Sequence, residues 1–193
     1  YTLPYHDVLP IYSAIEFAEK NNAILAAGKR DKSAYSLSPS SLKNIPANTK
    51  LVLPSPNGAT LSLSCGDIPV IAGCLRNAKA AADFAMKNFQ RISVIPAGEK
   101  WEDGSIRFAI EDLIGAGAII SYLQGNFSPE SKIALSVYES AKNNLVDEIK
   151  NCISGRELIE KGFTEDVELA CEINVSNCVP LLKDNSYSNI LGK

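Results

Sequence analysis

Apolar and polar positions alternate along the chain in two different rhythms, and the alternation predicts its elements. Ile11, Ala14, Ile15 and Ala18 recur at steps of three and four, the spacing of one helix face, and Asn21-Asn22 offers a stop. Residues 23–27 then form a short apolar run closed by Gly28-Lys29-Arg30, which reads as a buried strand and a loop. Residues 36–44 are rich in serine and hold Pro39, a composition that suits a loop with a capped helical turn.

From residue 51 the same unit recurs three times: a short apolar run, a turn marked by Gly, Pro or Asn, and a helical pattern. The runs are 51–53, 69–72 and 92–95, and the helices 59–64, 77–88 and a long one over about 106–123. Beyond Gly125 the pattern becomes mainly helical. Ser128-Pro129-Glu130 supplies a cap, a first-turn proline and an early acid for a helix through about residue 143. Shorter helices are predicted over 145–153, 156–161 and 165–172, and a last strand over 179–182.

Strands that alternate with helices need crossover connections, so the predicted fold is α/β: three layers, α/β/α, around a mostly parallel or mixed sheet. At 193 residues the chain fits one domain, 1–193, without a composition break to divide it. It opens at Tyr1, and Leu3-Pro4-Tyr5 resembles the tail of a strand, so an N-terminal segment is expected to precede it.

Charge and cysteine content then remove several classes. A net charge of −3 offers no basic field for a polyanion, so no nucleic-acid partner is expected. The apolar runs are far shorter than the roughly 20 residues that span a bilayer. Five widely spaced cysteines with a single histidine, His6, suit neither a disulfide framework nor a structural zinc site. They read as small apolar residues of a reducing, cytoplasmic compartment.

Ligands of parallel α/β sheets gather where strands end and helices begin, so the strand-to-helix turns are the candidate sites. The first is Ser55-Pro56-Asn57-Gly58, where Asn-Gly permits a positive φ and the helix start offers free N–H groups to an anion. A plain turn with Asn57 as cap would look the same. The second holds Arg76, a bidentate anion holder, and Asn77, a good cap; an ordinary surface arginine fits the pattern too. The third ends in Gly98-Glu99-Lys100, a carboxylate suited to a hard cation beside an anion. Glu111 and Asp112 follow within the long helix. Adjacent helical residues point about 100° apart, so one of the two is expected to face inward, lowered towards the sheet by Gly115-Ala116-Gly117-Ala118. A solvated acidic pair is the plainer alternative. Neither a Gly-x-Ser-x-Gly elbow nor a Lys-Ser/Thr phosphate loop occurs.

Four stretches at these turns resemble the 2-phosphosulfolactate phosphatase family of coenzyme M biosynthesis and its bacterial relatives. They run from Leu51 through Pro54-Ser55-Pro56-Asn57-Gly58 to Thr60, over Ala72-Gly73-Cys74-Leu75-Arg76-Asn77-Ala78, over Val94-Ile95-Pro96-Ala97-Gly98-Glu99, and from Asp103-Gly104-Ser105-Ile106-Arg107 through Glu111-Asp112 to Gly117. Weaker echoes lie at Ser36-Leu37-Ser38-Pro39, Gly155-Arg156, the segment from Gly162-Phe163 to Asp166-Val167, and Val179-Pro180.

The resemblance implies a magnesium-dependent hydrolase that removes phosphate from (2R)-phosphosulfolactate. Glu99, Glu111 and Asp112 would be the catalytic and metal-binding carboxylates. Ser55, Asn57, Gly58, Arg76, Asn77 and Arg30 would hold the anionic substrate, and the chain could act as a homodimer. The family's opening strand, with an Asp-Val motif, would lie before Tyr1. Another small anionic phosphate ester as substrate, or a non-catalytic anion-binding protein, are the alternatives.

Overall fold

The computed structural model describes residues 11–31, 34–101 and 103–191. The expected strand tail at Leu3-Pro4-Tyr5, and His6, lie outside them. The chain divides into two compact units, Tyr1–Ser64 and Cys65–Lys193.

In the first unit, helix α1 (Ile11–Lys20) leads into strand β1 (Ile24–Leu25), which pairs in parallel with β2 (Leu51–Val52). Of the face that the helical spacing predicted, Ala14 and Ala18 are buried but Ile15 is exposed, and Ala26 is a further buried position of the unit. The serine-rich loop between the strands is tied by its own hydroxyls. Ser36 and Ser38 are fully buried, and Ser36 Oγ accepts the backbone N–H of Asp31 and Ser38, each at 3.1 Å. Such side-chain bonds give buried loop backbone the partners that a ladder would otherwise supply. Helix α2 (Pro56–Ser64) closes the unit and begins three residues earlier than the spacing predicted.

In the second unit the 3-10 turn Leu75–Asn77 opens α3 (Ala78–Asn88). A hairpin of β3 (Glu99–Lys100) and β4 (Ile106–Arg107) precedes α4 (Ile110–Ile120). Then come α5 (Pro129–Ala141), α6 (Leu145–Asn151), α7 (Ile153–Glu160) and α8 (Thr164–Ala170). The antiparallel pair β5 (Pro180–Lys183) and β6 (Ser186–Asn189) follows them.

The core of this unit is helix on helix. Ile114 and Ala118 of α4 pack with Tyr138 and Ala141 of α5, Leu145 and Ile149 of α6, and Val167 of α8. Ser128 caps α5, its hydroxyl accepting the N–H of Ser131 at 3.2 Å with Pro129 in the first turn, as its sequence signature predicts.

Three sequence expectations are corrected. The long helix over 106–123 is a strand followed by a shorter helix, because Asp103-Gly104-Ser105 turns the chain back. Gly104 takes φ +83°, and Asp103 Oδ1 accepts the N–H of Ser105 at 2.9 Å. The small residues of α4 admit a helix and not a sheet: a Cβ at Gly117 would lie 2.2 Å from the Ala134 carbonyl oxygen of α5. Of the apolar runs, 69–72 forms one antiparallel bridge, Ile71 to Leu181, and 92–95 joins no ladder among the described residues. Helices and strands are thus mixed as the α/β reading requires. The ladders among the described residues are three separate pairs, one parallel and two antiparallel.

Candidate active site

Of the carboxylates that the spacing singled out, Glu111 and Asp112 stand in the first turn of α4 and Glu99 lies in β3. Gly98 ends its run with φ +69°, a left-handed turn that suits glycine, and this aims its N–H at Asp112 Oδ2, 2.8 Å away. Asp112 Oδ1 takes no hydrogen bond among the described residues and is not fully buried. Burial pushes the Asp112 carboxyl above the ordinary aspartate value against the Gly98 hydrogen bond, and the charges of Glu111 and Glu99 push the same way.

The charge of Glu111 acts also on the Cys152 thiol at the start of α7. The thiol also accepts the Gly155 N–H at 3.3 Å, and burial foremost, with Glu111 adding to it, holds it above its usual range. The two acids therefore diverge as helical geometry demands, with Asp112 on the Gly98 turn.

Among the described residues no group of three His, Cys, Asp or Glu side chains is placed to hold a metal ion. Magnesium does not need one. It commonly keeps several waters and binds through one or two carboxylates and the substrate's phosphate, so Asp112 with a single neighbour is a donor set that fits it.

The second turn uses its polar groups differently. Asn77 is buried, and instead of capping α3 its Oδ1 accepts the Cys74 N–H at 2.8 Å. Its amide donates to the carbonyls of Ala72 at 3.1 Å and Cys178 at 2.9 Å, which leaves no amide proton for an anion. Arg76 already holds an anion, Glu172, and donates to the Leu169 carbonyl at 3.2 Å.

In the first unit, neither Asn57 nor Gly58 adopts the positive φ that Asn-Gly allows; both lie in the opening turn of α2, after Ser55. The first N–H groups of a helix lack intrahelical partners, so this end retains the anion-binding character that its position gives it. Arg30 donates to the Leu37 carbonyl at 2.8 Å within the serine-rich loop.

These turns coincide with a known pattern, for a family model described as 2-phosphosulpholactate phosphatase matches residues 8–185. The chain belongs to this family. It is 35% identical over 137 residues to a probable 2-phosphosulfolactate phosphatase of Carboxydothermus hydrogenoformans, covering 67% of this chain and 54% of that protein. It is 31% identical over 190 residues to the 2-phosphosulfolactate phosphatase of Methanothermobacter thermautotrophicus, covering 93% and 78%. A probable 2-phosphosulfolactate phosphatase of Caldanaerobacter subterraneus is 29% identical over 194 residues, with 92% and 78% covered. The first of these matches thus spans about half of the relative's length. By name, members of the 2-phosphosulpholactate phosphatase family are phosphoric monoester hydrolases.

Sequence reasoning missed the residues behind the carboxylates. Arg107, opposite Glu99 in the hairpin, is buried. It bonds Glu157 Oε1 at 2.9 Å and Ser154 Oγ at 3.2 Å, and its guanidinium carbon lies 5.3 Å from the Trp101 ring centroid. Arg107 lies inside the family stretch from Asp103 to Gly117, but the helical spacing over 106–123 conceals it, since the Asp-Gly-Ser turn makes Ile106–Arg107 a strand.

Proposed function

We propose that this chain is a magnesium-dependent phosphatase that hydrolyses (2R)-2-phospho-3-sulfolactate to 3-sulfolactate and inorganic phosphate. Asp112 carries the proposal: a half-buried carboxylate with one oxygen fixed by the Gly98 N–H, the other open, and two further carboxylates near enough to raise its affinity for a proton. Such a group gains from a divalent cation that replaces the proton. Membership of the family, and the names of the relatives, support phosphate-ester hydrolysis as the chemistry.

Asp112, with Glu99 or Glu111, would hold the ion. When bound, it would supply positive charge against the phosphoryl oxygens and orient a water. The chain's own contribution is positioning, which is most of what catalysis of phosphoryl transfer requires. The Gly98 N–H keeps the Asp112 carboxylate in one orientation, and the first turn of α4 favours its charged form through the helix dipole. Separately, the start of α2 offers N–H groups to an anionic group.

The finer architecture, one three-layer α/β/α domain over 1–193, belongs to the same proposal and rests on the alternation of runs and helices. So does a cytoplasmic location, which the five free cysteines support. No helix among the described residues is long and apolar enough to cross a membrane. A homodimer would cover Ile106 and Phe108, which the fold leaves exposed.

The test is phosphate release from racemic phosphosulfolactate and from phospho-2-hydroxy acids without a sulfonate, each with magnesium and with a chelator. Magnesium-dependent release that prefers the sulfonated ester is expected. Preference for another ester would reassign the substrate, and no release from any of them would leave an anion-binding protein.

A further inference from the structure

Arg107 brings a buried positive charge to the edge of the carboxylate site, and each of its side-chain contacts comes from one of two elements. Glu157 and Ser154 belong to α7, and Trp101 to the hairpin. Its backbone pairs with Glu99, and its carbonyl oxygen would lie 3.6 Å from a Cβ at Gly98. The arginine therefore fastens the segment 98–107 to α7.

A second link joins the hairpin segment to α4, where the Gly98 N–H donates to Asp112 Oδ2 at 2.8 Å. The head of α7 is itself fixed against α6, because a Cβ at Gly155 would lie 1.9 Å from the Ile149 carbonyl oxygen and only glycine permits that approach.

We propose that Arg107 is a positioning residue for the hydrolytic reaction, clamped by Glu157 and Ser154 so that Glu99 and the start of α4 keep a fixed spacing. This rests on the carboxylate site described under the proposed function. A guanidinium can satisfy two acceptors in fixed directions while stacking on an aromatic face, and an ammonium cannot. Glu157 is accordingly the anchor, and α7 acts as a wall behind the site.

The experiment compares the full chain with Arg107→Lys, Glu157→Gln and the double variant. The readouts are melting temperature, the emission of Trp101, which is the single tryptophan of the chain, and kcat and KM for the phosphate ester. In Arg107→Lys, kcat is expected to fall by about tenfold or more while KM stays within about twofold, since a positioning residue acts on the transition state without touching substrate. Glu157→Gln shows a smaller fall with the same split. The double variant is no worse than Arg107→Lys alone, because both changes break one clamp. Trp101 emission changes in each single variant, independently of turnover.

A tenfold rise in KM with kcat preserved would make Arg107 a direct substrate ligand and overturn the assignment. A lowered melting temperature with unchanged kcat would reduce it to a structural residue and do the same. If the wild-type chain releases no phosphate, the phosphatase reading fails and the assignment with it; an active wild type with unaffected variants sinks the assignment alone.

Discussion

At the turn before α3 the side-chain polar atoms of Asn77 all bond to backbone, whereas at the turn before α4 Asp112 keeps an oxygen uncommitted. Both turns carry a polar residue at a helix start, and both belong to stretches by which the family is recognised. The difference lies in what each environment demands. Asn77 sits between two backbone segments whose carbonyls have no other donor at hand, so its amide is used up in joining them. Asp112 sits where burial and two acids oppose its charge, so it is costly to keep ionised and useful to a cation. Polar residues at helix starts are therefore divided between holding the fold and doing chemistry by how completely their bonds are filled.

The sharpest way to break this contrast is Asp112→Asn. The amide oxygen can still accept the Gly98 N–H, so the fold should survive while kcat falls by about 100-fold, roughly 2.7 kcal/mol of transition-state stabilisation. The same variant sharpens the pH behaviour. Because the folded carboxyl is raised above its unfolded value, its contribution to stability is fully present below the unfolded pKa and is lost as pH rises through the folded one. At neutral pH the variant should therefore melt no lower than the wild type, and its advantage should disappear below the usual aspartate range. Melting curves across pH decide it.

Asn77→Ala should do the reverse. Losing a buried amide with three backbone bonds should cost about 2 to 4 kcal/mol of stability, with kcat of the remaining folded protein nearly unchanged. Denaturant titration with an active-fraction correction separates the two effects.

Arg76→Ala is a smaller test. Its guanidinium is half exposed and already paired with Glu172, so the loss should stay within about 1 kcal/mol of stability. A fall in kcat/KM beyond tenfold would instead place Arg76 on the substrate.

Least perturbing is thiol labelling at neutral pH. Exposed Cys74 should react first, and Cys152 and Cys171 last, since burial pushes both thiols up and hides them.

The buried Ala14 and Ala18 of α1, the Ser128 cap and the different directions of Glu111 and Asp112 were legible because periodicity and capping are local and the relevant residues stand close in sequence. The paired strands were harder to read. β3 and β4 are two residues each, too short for a period-2 signal, and their only local sign is the Asp-Gly-Ser turn between them. The clamp on Arg107 could not be read at all, because Ser154 and Glu157 are separated from it by 47 and 50 residues and nothing local pairs them. The role of the small residues in α4 was readable as close approach but not as approach to what, since Gly117 meets a helix backbone that the sequence places beyond a loop.

That approach has a consequence for how the molecule opens. At Gly117 the second half of α4 lies against the α5 backbone with no room for a methyl group, so the amides around it should exchange with solvent only when the whole unit unfolds. The first turn, which holds Glu111 and Asp112, is kept in place by the Gly98 N–H on Asp112, and its leading amides, without partners inside the helix, should exchange sooner. A single rod is thus seated by close packing at one end and by directed polar bonds at the other, so the end that meets the ligand can be retuned by changing bonds without repacking the core.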